Sequence, residues 1–380
     1  MADQVYITKL AKFLPNEPVS NDGMENILGR IDGQPSKIRN LVLKSNGIRT
    51  RYYAIDDQGR FTHTNAELTA NAIRSLLDSS MRISDVELLC CGTSIPDQIL
   101  PSHASMVQGC LDAPPFEIIS TAGACCSGIH ALKYGMLSIA GGNSFNAVCA
   151  ASELVSPLLL SRHYENELAG LRRLKRRPII AFEKDFLRWM LSDGAGAVLL
   201  ESRPNPPDSL SLRIDSIDTC SFAGEVATCM YAGSSRNGGG KLVSWKNHSP
   251  EEWLENSTFA IKQDVKLLDK HIVKLGTEKL AETLRKRGVN PRDIAFLLPH
   301  ISSEHFRKPL DREMKDQGIQ IPQERWFTNL STVGNIGSAS IYLMMEELFY
   351  SGRLDRGMKI LALVPESSRF SYAFVLMTVC

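Results

Sequence analysis

The sequence contains two copies of one helix–turn–strand unit, and this duplication is the feature that most limits its fold. Residues 72–94 show helical apolar spacing, then a turn, then an apolar run short enough for a buried strand. Residues 280–302 repeat this pattern, and residues 85–94 align with residues 293–302 without a gap. Strands that alternate with helices in this way favour an α/β fold with mainly parallel strand pairing.

A second pair of segments extends the duplication. Residues 121–153 and 332–366 both begin with a turn of small residues, continue as a helix and finish as a β-rich strand that ends in Glu. Parallel sheets present functional groups at the carboxyl ends of their strands. We therefore expect Glu153, His300 and Glu366 to lie at such ends.

The two halves are predicted to meet at the proline-rich segment 204–209, the best linker in the chain. The N-terminal half then spans residues 1–205, and the C-terminal half spans residues 206–380. Each half alone would leave one face of its sheet uncovered, so we expect both halves to fold as one compact unit.

Composition argues against several classes of protein. The chain has 43 Lys and Arg against 42 Asp and Glu, which gives no support to binding of nucleic acid or of a membrane surface. No stretch reaches the roughly 18 uncharged apolar residues of a membrane span, and the first residues do not resemble a signal segment. The nine cysteines lack metal-binding or redox spacing and are expected to be reduced. We expect a cytoplasmic protein.

The stretch TAGACCSGIHALKYG, residues 121–135, places two adjacent cysteines at the start of a predicted apolar helix. If a strand ends near Ile119 and the helix begins near Cys126, the N–H groups and dipole at the helix end favour the thiolate of Cys126. The surrounding small residues would admit a substrate carbonyl, and backbone N–H groups could hold its developing oxyanion. In the alternative interpretation, the two thiols only pack the helix against a sheet, as buried cysteines usually do.

Three segments together resemble the β-ketoacyl-acyl carrier protein synthase III family and its thiolase-fold relatives. ACCSGIHAL resembles the family's A-A-C-x-G elbow, with Cys126 at the nucleophile position and Cys125 at a small-residue position. LLPHISSEHF resembles the histidine segment and puts His300 at the catalytic histidine. VGNIGSASI is similar to the G-N-x-x-S-A-S segment and puts Asn335 at the catalytic asparagine. The segments occur in the family's order, and the resemblance covers nearly the whole chain.

The resemblance implies both a fold and a mechanism. The fold would be the α/β thiolase fold, with five αβαβα layers, two pseudo-duplicated halves and mixed sheets, and the protein would be a homodimer. An acyl group would pass from an acyl carrier protein or coenzyme A thioester to Cys126, and carbon of a second thioester would attack it. His300 and Asn335 would donate hydrogen bonds to the enolate oxygen, for which a neutral imidazole suffices. Neither a metal nor a cofactor besides the thioesters is implied.

The C-terminal loop departs from the pattern of enzymes that initiate fatty-acid synthesis. Those enzymes carry a glycine-rich loop where this chain has VPESSRFSYAF, residues 364–374. Ser368 could still supply a backbone amide to the oxyanion, whereas Glu366 and Arg369 bring charge. This loop and the start of the chain look more like the ketosynthase/cyclases of dialkylresorcinol and stilbene biosynthesis. Those enzymes join a β-ketoacyl thioester to an acyl or enoyl thioester and close a 2,5-disubstituted cyclohexane-1,3-dione, which a partner enzyme aromatises.

Ring closure requires a base that removes protons from carbon between two carbonyl groups. Glu153 is our hypothesis for this base, because it ends the predicted strand after the cysteine helix. The alternative is a structural glutamate paired with Arg369 or another cation.

A basic run, RRLKRR, is a second place where charge suggests a partner. It could bind an acidic carrier protein or the phosphates of coenzyme A, or it could be a solvated loop. The predicted carrier-binding residues are Arg172, Arg173, Lys175 and Arg176.

Three other functions remain open at the level of sequence. One is the decarboxylative synthase III reaction that initiates fatty-acid synthesis. Another is acyl transfer to an alcohol or amine, which would need Cys126 and His300 but no stabilised carbanion. The third is a structural subunit, which would be expected to lose one of Cys126, His300 and Asn335, although all three are present.

Overall fold

Nine strands form one mixed sheet in the computed structural model, which describes residues 4–173 and 182–380. The strands of the chain are β1 (Tyr6–Phe13), β2 (Val19–Ser20), β3 (Thr50–Arg51), β4 (Leu88–Thr93), β5 (Glu117–Ala122), β6 (Asn146–Glu153), β7 (Gly194–Glu201), β8 (Leu212–Ser221), β9 (Met230–Tyr231), β10 (Ser234–Arg236), β11 (Leu242–Ser244), β12 (Lys262–Gln263), β13 (Ile294–Pro299), β14 (Lys359–Glu366) and β15 (Ser371–Val379). The α-helices are α1 (Met24–Leu28), α2 (Arg39–Asn46), α3 (Asn65–Arg74), α4 (His103–Cys110), α5 (Ser127–Ala140), α6 (Glu165–Arg173), α7 (Phe182–Arg188), α8 (Pro250–Glu255), α9 (Val265–Arg287), α10 (Arg307–Asp316), α11 (Leu330–Val333) and α12 (Ser340–Phe349).

The strand order of the large sheet is β13-β14-β15-β8-β1-β7-β6-β4-β5. In the N-terminal part, β4 runs parallel to both β5 and β6, and β7 runs antiparallel to β6 and β1. In the C-terminal part, β13 and β14 are parallel, and β15 is antiparallel to β14 and β8. A short pairing of β1 with β8, at Tyr6 and Ile7, joins the strands of the two halves.

Three apolar clusters show how helices and strands are layered. Helices α3 and α4 share one outer cluster with β4, β6 and β7, and helices α9 and α10 share another with β13, β14 and β15. Helices α5 and α12 lie between the two sets of strands in the central cluster. The five layers that the resemblance implied are therefore confirmed.

Strand β14 shows how one stretch of sequence serves two of these layers. Ile360, Ala362 and Val364 belong to the central cluster. Leu361 and Leu363 belong to the outer cluster on the other face. Successive side chains of a strand point to opposite faces, so a continuous apolar run indicates a strand that is covered on both sides.

The repeated units predicted from the sequence are present. Helix α3 precedes β4, as α9 precedes β13, and α5 precedes β6, as α12 precedes β14. The predicted linker, residues 204–209, lies between β7 and β8, which both pair with β1. The division of the chain at residue 205 stays a prediction. In residues 4–173 and 182–380, none of the helices has the length and apolar character that crossing a bilayer requires.

The two halves touch closely at Gly128, in the first turn of α5. A Cβ atom there would lie 2.6 Å from the carbonyl oxygen of Ser338 and 2.8 Å from the Cβ of Ala151. The hydroxyl of Tyr342 on α12 donates a hydrogen bond of 2.8 Å to the Gly128 carbonyl. Only a residue without a side chain lets the cysteine helix approach the segment that carries Asn335.

We therefore expect Gly128→Ala to destabilise the protein by about 1–3 kcal/mol, because backbone atoms must move to admit the methyl group. Gly109→Ala is the matched control, since Gly109 lies in α4 and a Cβ there meets no atom within 4 Å. The control should be neutral or stabilising by up to about 1 kcal/mol. Urea unfolding measures both changes, and equal stabilities for the two variants would contradict this account of the contact.

Candidate active site

A cavity of about 500 Å³ lies beside the loop between β5 and α5. Its volume is within the range of small-molecule sites. Four of the predicted site residues line it, namely Glu153, His300, Asn335 and Ser368, and so does Cys125. Most of the remaining wall is apolar and includes Ile95, Ile99, Val155, Leu158, Leu187, Met190, Leu191, Met230, Trp245, Phe259, Ile261, Leu268, Ile272, Val273, Ile301, Phe306, Leu310 and Leu363.

Helix α5 begins at Ser127, and Cys126 directly precedes it, so Cys126 lies at the start of the helix as predicted. Its side chain is completely buried, and its thiol donates a hydrogen bond of 3.4 Å to the carbonyl oxygen of Val364. Cys125 is only half-buried and belongs to the cavity wall, whereas Cys126 lies behind that wall. The predicted nucleophile, Cys126, therefore lies next to the cavity but does not line it.

The carboxylate of Glu366 sits on the amides at the start of the cysteine helix. One of its oxygens accepts hydrogen bonds from the N–H groups of Ala124, at 3.0 Å, and Cys126, at 3.1 Å. The other accepts a hydrogen bond of 2.5 Å from the hydroxyl of Ser368. The N–H groups predicted to hold an oxyanion thus already hold an anion.

This contact corrects the prediction that the helix end favours the Cys126 thiolate. Burial raises the pKa of the Cys126 thiol well above its usual range, and the neighbouring Glu366 carboxylate raises it further. The N–H groups at the start of the helix do attract a negative charge, but that charge is the Glu366 carboxylate and not the Cys126 thiolate. In this conformation, burial and the Glu366 charge both favour the neutral thiol of Cys126.

His300 directly follows β13, and its backbone is fixed by a hydrogen bond of 2.8 Å from its N–H group to the Leu363 carbonyl on β14. Burial lowers the pKa of the His300 imidazole to about 4, so the ring is neutral near pH 7. Among the described residues, its Nε2 atom has no hydrogen-bond partner. A neutral ring with a free nitrogen on the cavity wall is available to a ligand.

Asn335 is held at both its backbone and its side chain. Its N–H group donates to the Met190 carbonyl at 3.0 Å, and its carbonyl accepts from the Ser192 N–H group at 3.0 Å. Its side-chain oxygen accepts a hydrogen bond of 3.0 Å from the N–H group of Gly337. The side-chain NH₂ group is therefore the part left to donate to a ligand.

Glu153 ends β6 on the cavity wall and is buried. Its carboxylate accepts hydrogen bonds from the hydroxyl of Ser94 at 2.6 Å and from the N–H group of Ser338 at 3.0 Å. Burial raises the pKa of this carboxyl group to about 7. Within the described part of the chain, Glu153 has no ion pair, so the alternative of a structural pair with Arg369 does not describe it.

The other predicted residues are Arg369 and the basic run. Arg369 is exposed and does not line the cavity, although Ser368 beside it does. Arg172 and Arg173 are the last two residues of α6, and Lys175 and Arg176 lie outside the described residues. The carrier-binding role of this basic run stays a prediction.

Sequence comparisons agree with the resemblance. The family 3-oxoacyl-(acyl-carrier-protein) synthase III, C terminal, matches residues 284–364. The β-ketoacyl-(acyl-carrier-protein) synthase III of Xanthomonas oryzae pv. oryzae is 24% identical over 364 residues, which is 95% of each chain. The synthase III of Clostridium perfringens strain 13 is 26% identical over 354 residues, covering 92% of this chain and 91% of the relative.

Solved structures show the same fold. AbyA1, a tetronic acid condensing enzyme, matches with a TM-score of 0.77 at 21% identity, covering 98% of this chain and 99% of AbyA1. The 3-oxoacyl-(acyl-carrier-protein) synthase III of Aquifex aeolicus matches at 0.71 and 20% identity, covering 98% and 99%. Xanthomonas campestris OleA, with bound lauric acid and lauroyl-CoA, matches at 0.72 and 18% identity over the whole of both chains.

The chain is therefore similar to β-ketoacyl-acyl carrier protein synthase III over nearly its whole length. Its fold is that of the condensing enzymes with which it superposes.

Proposed function

We propose that this enzyme carries an acyl group on Cys126 and joins it to a β-ketoacyl thioester in a Claisen-type condensation. A Michael-type ring closure then gives a 2,5-dialkylcyclohexane-1,3-dione, a dialkylresorcinol precursor. The observation that carries the proposal is Glu153, a buried carboxyl group with a pKa raised to about 7 on the same cavity wall as His300 and Asn335. A decarboxylating synthase obtains its carbanion by loss of CO₂, whereas a β-ketoacyl thioester must lose a proton to a base.

The first half-reaction is acyl transfer. The Cys126 sulfur attacks the carbonyl carbon of an enoyl or acyl thioester, and the carrier thiol leaves with the proton that Cys126 gives up. The product is a thioester on Cys126 and a free carrier thiol. This step needs no metal and no cofactor besides the thioester itself.

The second half-reaction forms the carbon–carbon bond. Glu153 accepts protons from the carbons beside the ketone of the β-ketoacyl thioester, and His300 and Asn335 donate hydrogen bonds to the enolate oxygen. The γ-carbon attacks the acyl-enzyme, and the Cys126 thiolate leaves. The carbon between the ketone and the thioester then adds to the enoyl double bond and closes the ring, and the resulting enolate takes up a proton. Water hydrolyses the remaining thioester, which releases the carrier thiol, and the β-keto acid loses CO₂ to leave the dione.

The shape and polarity of the cavity support substrates with alkyl chains. Its wall is mainly apolar and extends to Trp245 and Phe259, which lie 6.0 Å apart between ring centroids. The structural relative OleA binds lauric acid and lauroyl-CoA. We propose acyl carrier protein or coenzyme A thioesters as the donors, and a separate aromatase as the enzyme that uses the dione.

The edge of the large sheet supports a homodimer. Strand β5 is the last strand in the sheet order, so its outer side has no strand partner in the described part of the chain. Large apolar side chains stand exposed beside this edge, including Leu137 on α5, and Ile99 and Leu100 before α4. Unpaired edges and exposed apolar patches are typical of interfaces. A second copy of the chain would cover them, and Ile99 also lines the cavity.

Mixing the pure protein with a β-ketoacyl thioester and an enoyl thioester tests the proposal. Mass spectrometry should show a product that contains both carbon chains and has the mass of the cyclised dione. Acyl transfer without a new carbon–carbon bond, or release of free acids alone, would contradict the proposed reaction.

Replacing Glu153 by Gln should leave acylation of Cys126 intact and lower dione formation by about 10²-fold or more, because the base is lost. In the unchanged enzyme, the ionised carboxylate is the base, so the rate should rise with pH through the carboxyl pKa of about 7. Product mass and acyl-enzyme mass, followed from pH 5.5 to 8.5, measure both effects.

Ser94→Ala is the matched control for this prediction. It removes the hydroxyl that stabilises the ionised carboxylate at 2.6 Å but keeps the carboxylate itself. The midpoint of the pH–rate profile should therefore move to higher pH while activity at high pH is retained. Undiminished dione formation by Glu153→Gln would remove Glu153 from the mechanism.

A further inference from the structure

The Glu366 carboxylate occupies the place that the thioester oxygen needs. Its oxygen lies 3.0 Å from the Ala124 nitrogen and 3.1 Å from the Cys126 nitrogen. When the Cys126 sulfur attacks a thioester, the oxyanion forms within reach of the N–H group of the same residue. Two negatively charged oxygens cannot share these N–H groups, so the carboxylate must leave before the acyl-enzyme forms.

We infer that Glu366 is a positioning residue that keeps Cys126 unreactive in the free enzyme and yields the amides of Ala124 and Cys126 to the thioester oxygen. The inference rests on the proposed function, in which Cys126 carries the acyl group. It assigns to Glu366 a role in deciding which electrophiles reach that sulfur.

Burial and hydrogen bonding show that the carboxylate is built into the resting site. Glu366 ends β14 and is 6% exposed. Its second oxygen accepts the Ser368 hydroxyl at 2.5 Å, so three donors hold the group. A Cβ on Gly123 would lie 3.4 Å from the carboxylate, which therefore lies close to the backbone of the cysteine loop.

The cavity offers room for the displaced carboxylate. Its wall includes Ala124 and Cys125 of the cysteine loop, and Pro365 and Ser367, the sequence neighbours of Glu366. Rotation of the Glu366 side chain away from the amides would carry its charge toward this space. The same movement would free both N–H groups for a carbonyl oxygen.

Displacement would also change the reactivity of the sulfur. While the carboxylate is in place, burial and its negative charge both oppose the Cys126 thiolate. Once a neutral carbonyl replaces it, the N–H groups and the helix end favour the thiolate instead. Thiol activation is then coupled to thioester binding, which protects the free enzyme from other electrophiles.

Glu366→Gln tests this inference because it removes the charge and keeps the shape. The variant and the unchanged enzyme are treated with iodoacetamide from pH 6 to pH 10, and tandem mass spectrometry reads the label at residue 126. We expect alkylation of Cys126 at pH 7.5 to be about 10-fold faster or more in the variant, with its pH profile moved to lower pH.

The pH profile can be assigned to Glu366 because the other ionisable groups around the pair stay unchanged. In the described part of the chain, the ionisable groups that interact by charge with Cys126 or Glu366 include Cys125 before the helix, His130 on α5, Cys220 on β8 and Tyr372 on β15. All four are present in both proteins.

Ser368→Ala is the second variant and covers the case in which Glu366→Gln fails to fold. It removes one of the three donors but keeps the charge, so alkylation of Cys126 should be faster than in the unchanged enzyme and slower than in Glu366→Gln. Thermal unfolding of each variant confirms that folded protein is labelled.

The outcomes separate this inference from the proposed function. Equal alkylation of Cys126 in all three proteins overturns the role of Glu366 and leaves the nucleophile in place. Slower alkylation of Glu366→Gln also overturns it, because the carboxylate would then act as the base for the thiol. Label confined to residue 125 in every protein overturns the assignment of Cys126 and, with it, the inference.

Discussion

Cys126→Ser should abolish carbon–carbon bond formation, with a loss of roughly 10⁴-fold or more, because a serine hydroxyl is a much weaker nucleophile than a thiolate. The hydrogen bond of the Cys126 thiol goes to the Val364 carbonyl oxygen, which cannot act as a base for a hydroxyl at pH 7. The rate of dione formation and the mass of the intact protein after incubation with an acyl thioester measure the effect. No acyl group should be found at residue 126.

Cys125→Ser is the control for this prediction, since the two thiols are adjacent and differ in exposure. Cys125 lines the cavity and is half-buried, whereas Cys126 is completely buried. The control should keep acyl loading and most of the product. The reverse result, with activity lost at residue 125 and kept at residue 126, would move the nucleophile to the cavity wall.

His300→Ala should lower the rate of condensation by about 10²–10³-fold while acyl loading of Cys126 persists, because one donor to the enolate oxygen is removed. Release of the carrier thiol measures loading, and product mass measures condensation. Since burial holds the pKa of His300 at about 4, its ring is neutral from pH 5.5 upward, and its ionisation should not appear in the profile there.

His305→Ala is the matched control on the same segment. Its ring is exposed and lies 3.2 Å from the carboxylate of Asp269 at the surface. Both half-reactions should continue unchanged in this variant. A parallel loss of loading and condensation in His300→Ala would contradict the role of His300 as a donor to the enolate alone.

Much of the fold could be predicted because its signal is local and repeated. The segments 72–94 and 280–302 show the same helix, turn and strand pattern, and the structure has β4 and β13 there as predicted, whereas helix α3 already ends at Arg74 and helix α9 continues to Arg287. The place of Cys126 at the start of a helix also followed from a local pattern of small residues before an apolar helix. Such patterns depend on backbone geometry within a few residues.

The contacts that decide reactivity could not be predicted in the same way. Glu366 is 240 residues away from Cys126 in sequence, and only the packing of β14 against the cysteine loop brings them together. The local sequence pattern predicts the N–H groups at the helix start but not the Glu366 carboxylate that they bind, so the predicted direction of the pKa shift of the Cys126 thiol was wrong. Which of Cys125 and Cys126 faces the cavity likewise depends on tertiary packing.

One partner of Glu153, the Ser94 hydroxyl, has a signal in the duplicated sequence. Ser94 ends the first copy of the repeat, where Ser302 ends the second, and it follows β4 beside β6 in the sheet. Neighbouring parallel strands that end together bring their following residues close. The duplication could therefore have placed the Ser94 hydroxyl near Glu153, where the structure has it at 2.6 Å.

The most direct measurement is to mix the unchanged enzyme with an acyl thioester, stop the reaction with acid after one turnover time, and locate the added mass by peptide fragmentation. We predict one acyl group per chain, attached to the sulfur of residue 126, which disappears when the β-ketoacyl thioester is added and product forms. An acyl group on residue 125, or product formed while no residue carries one, would contradict the account.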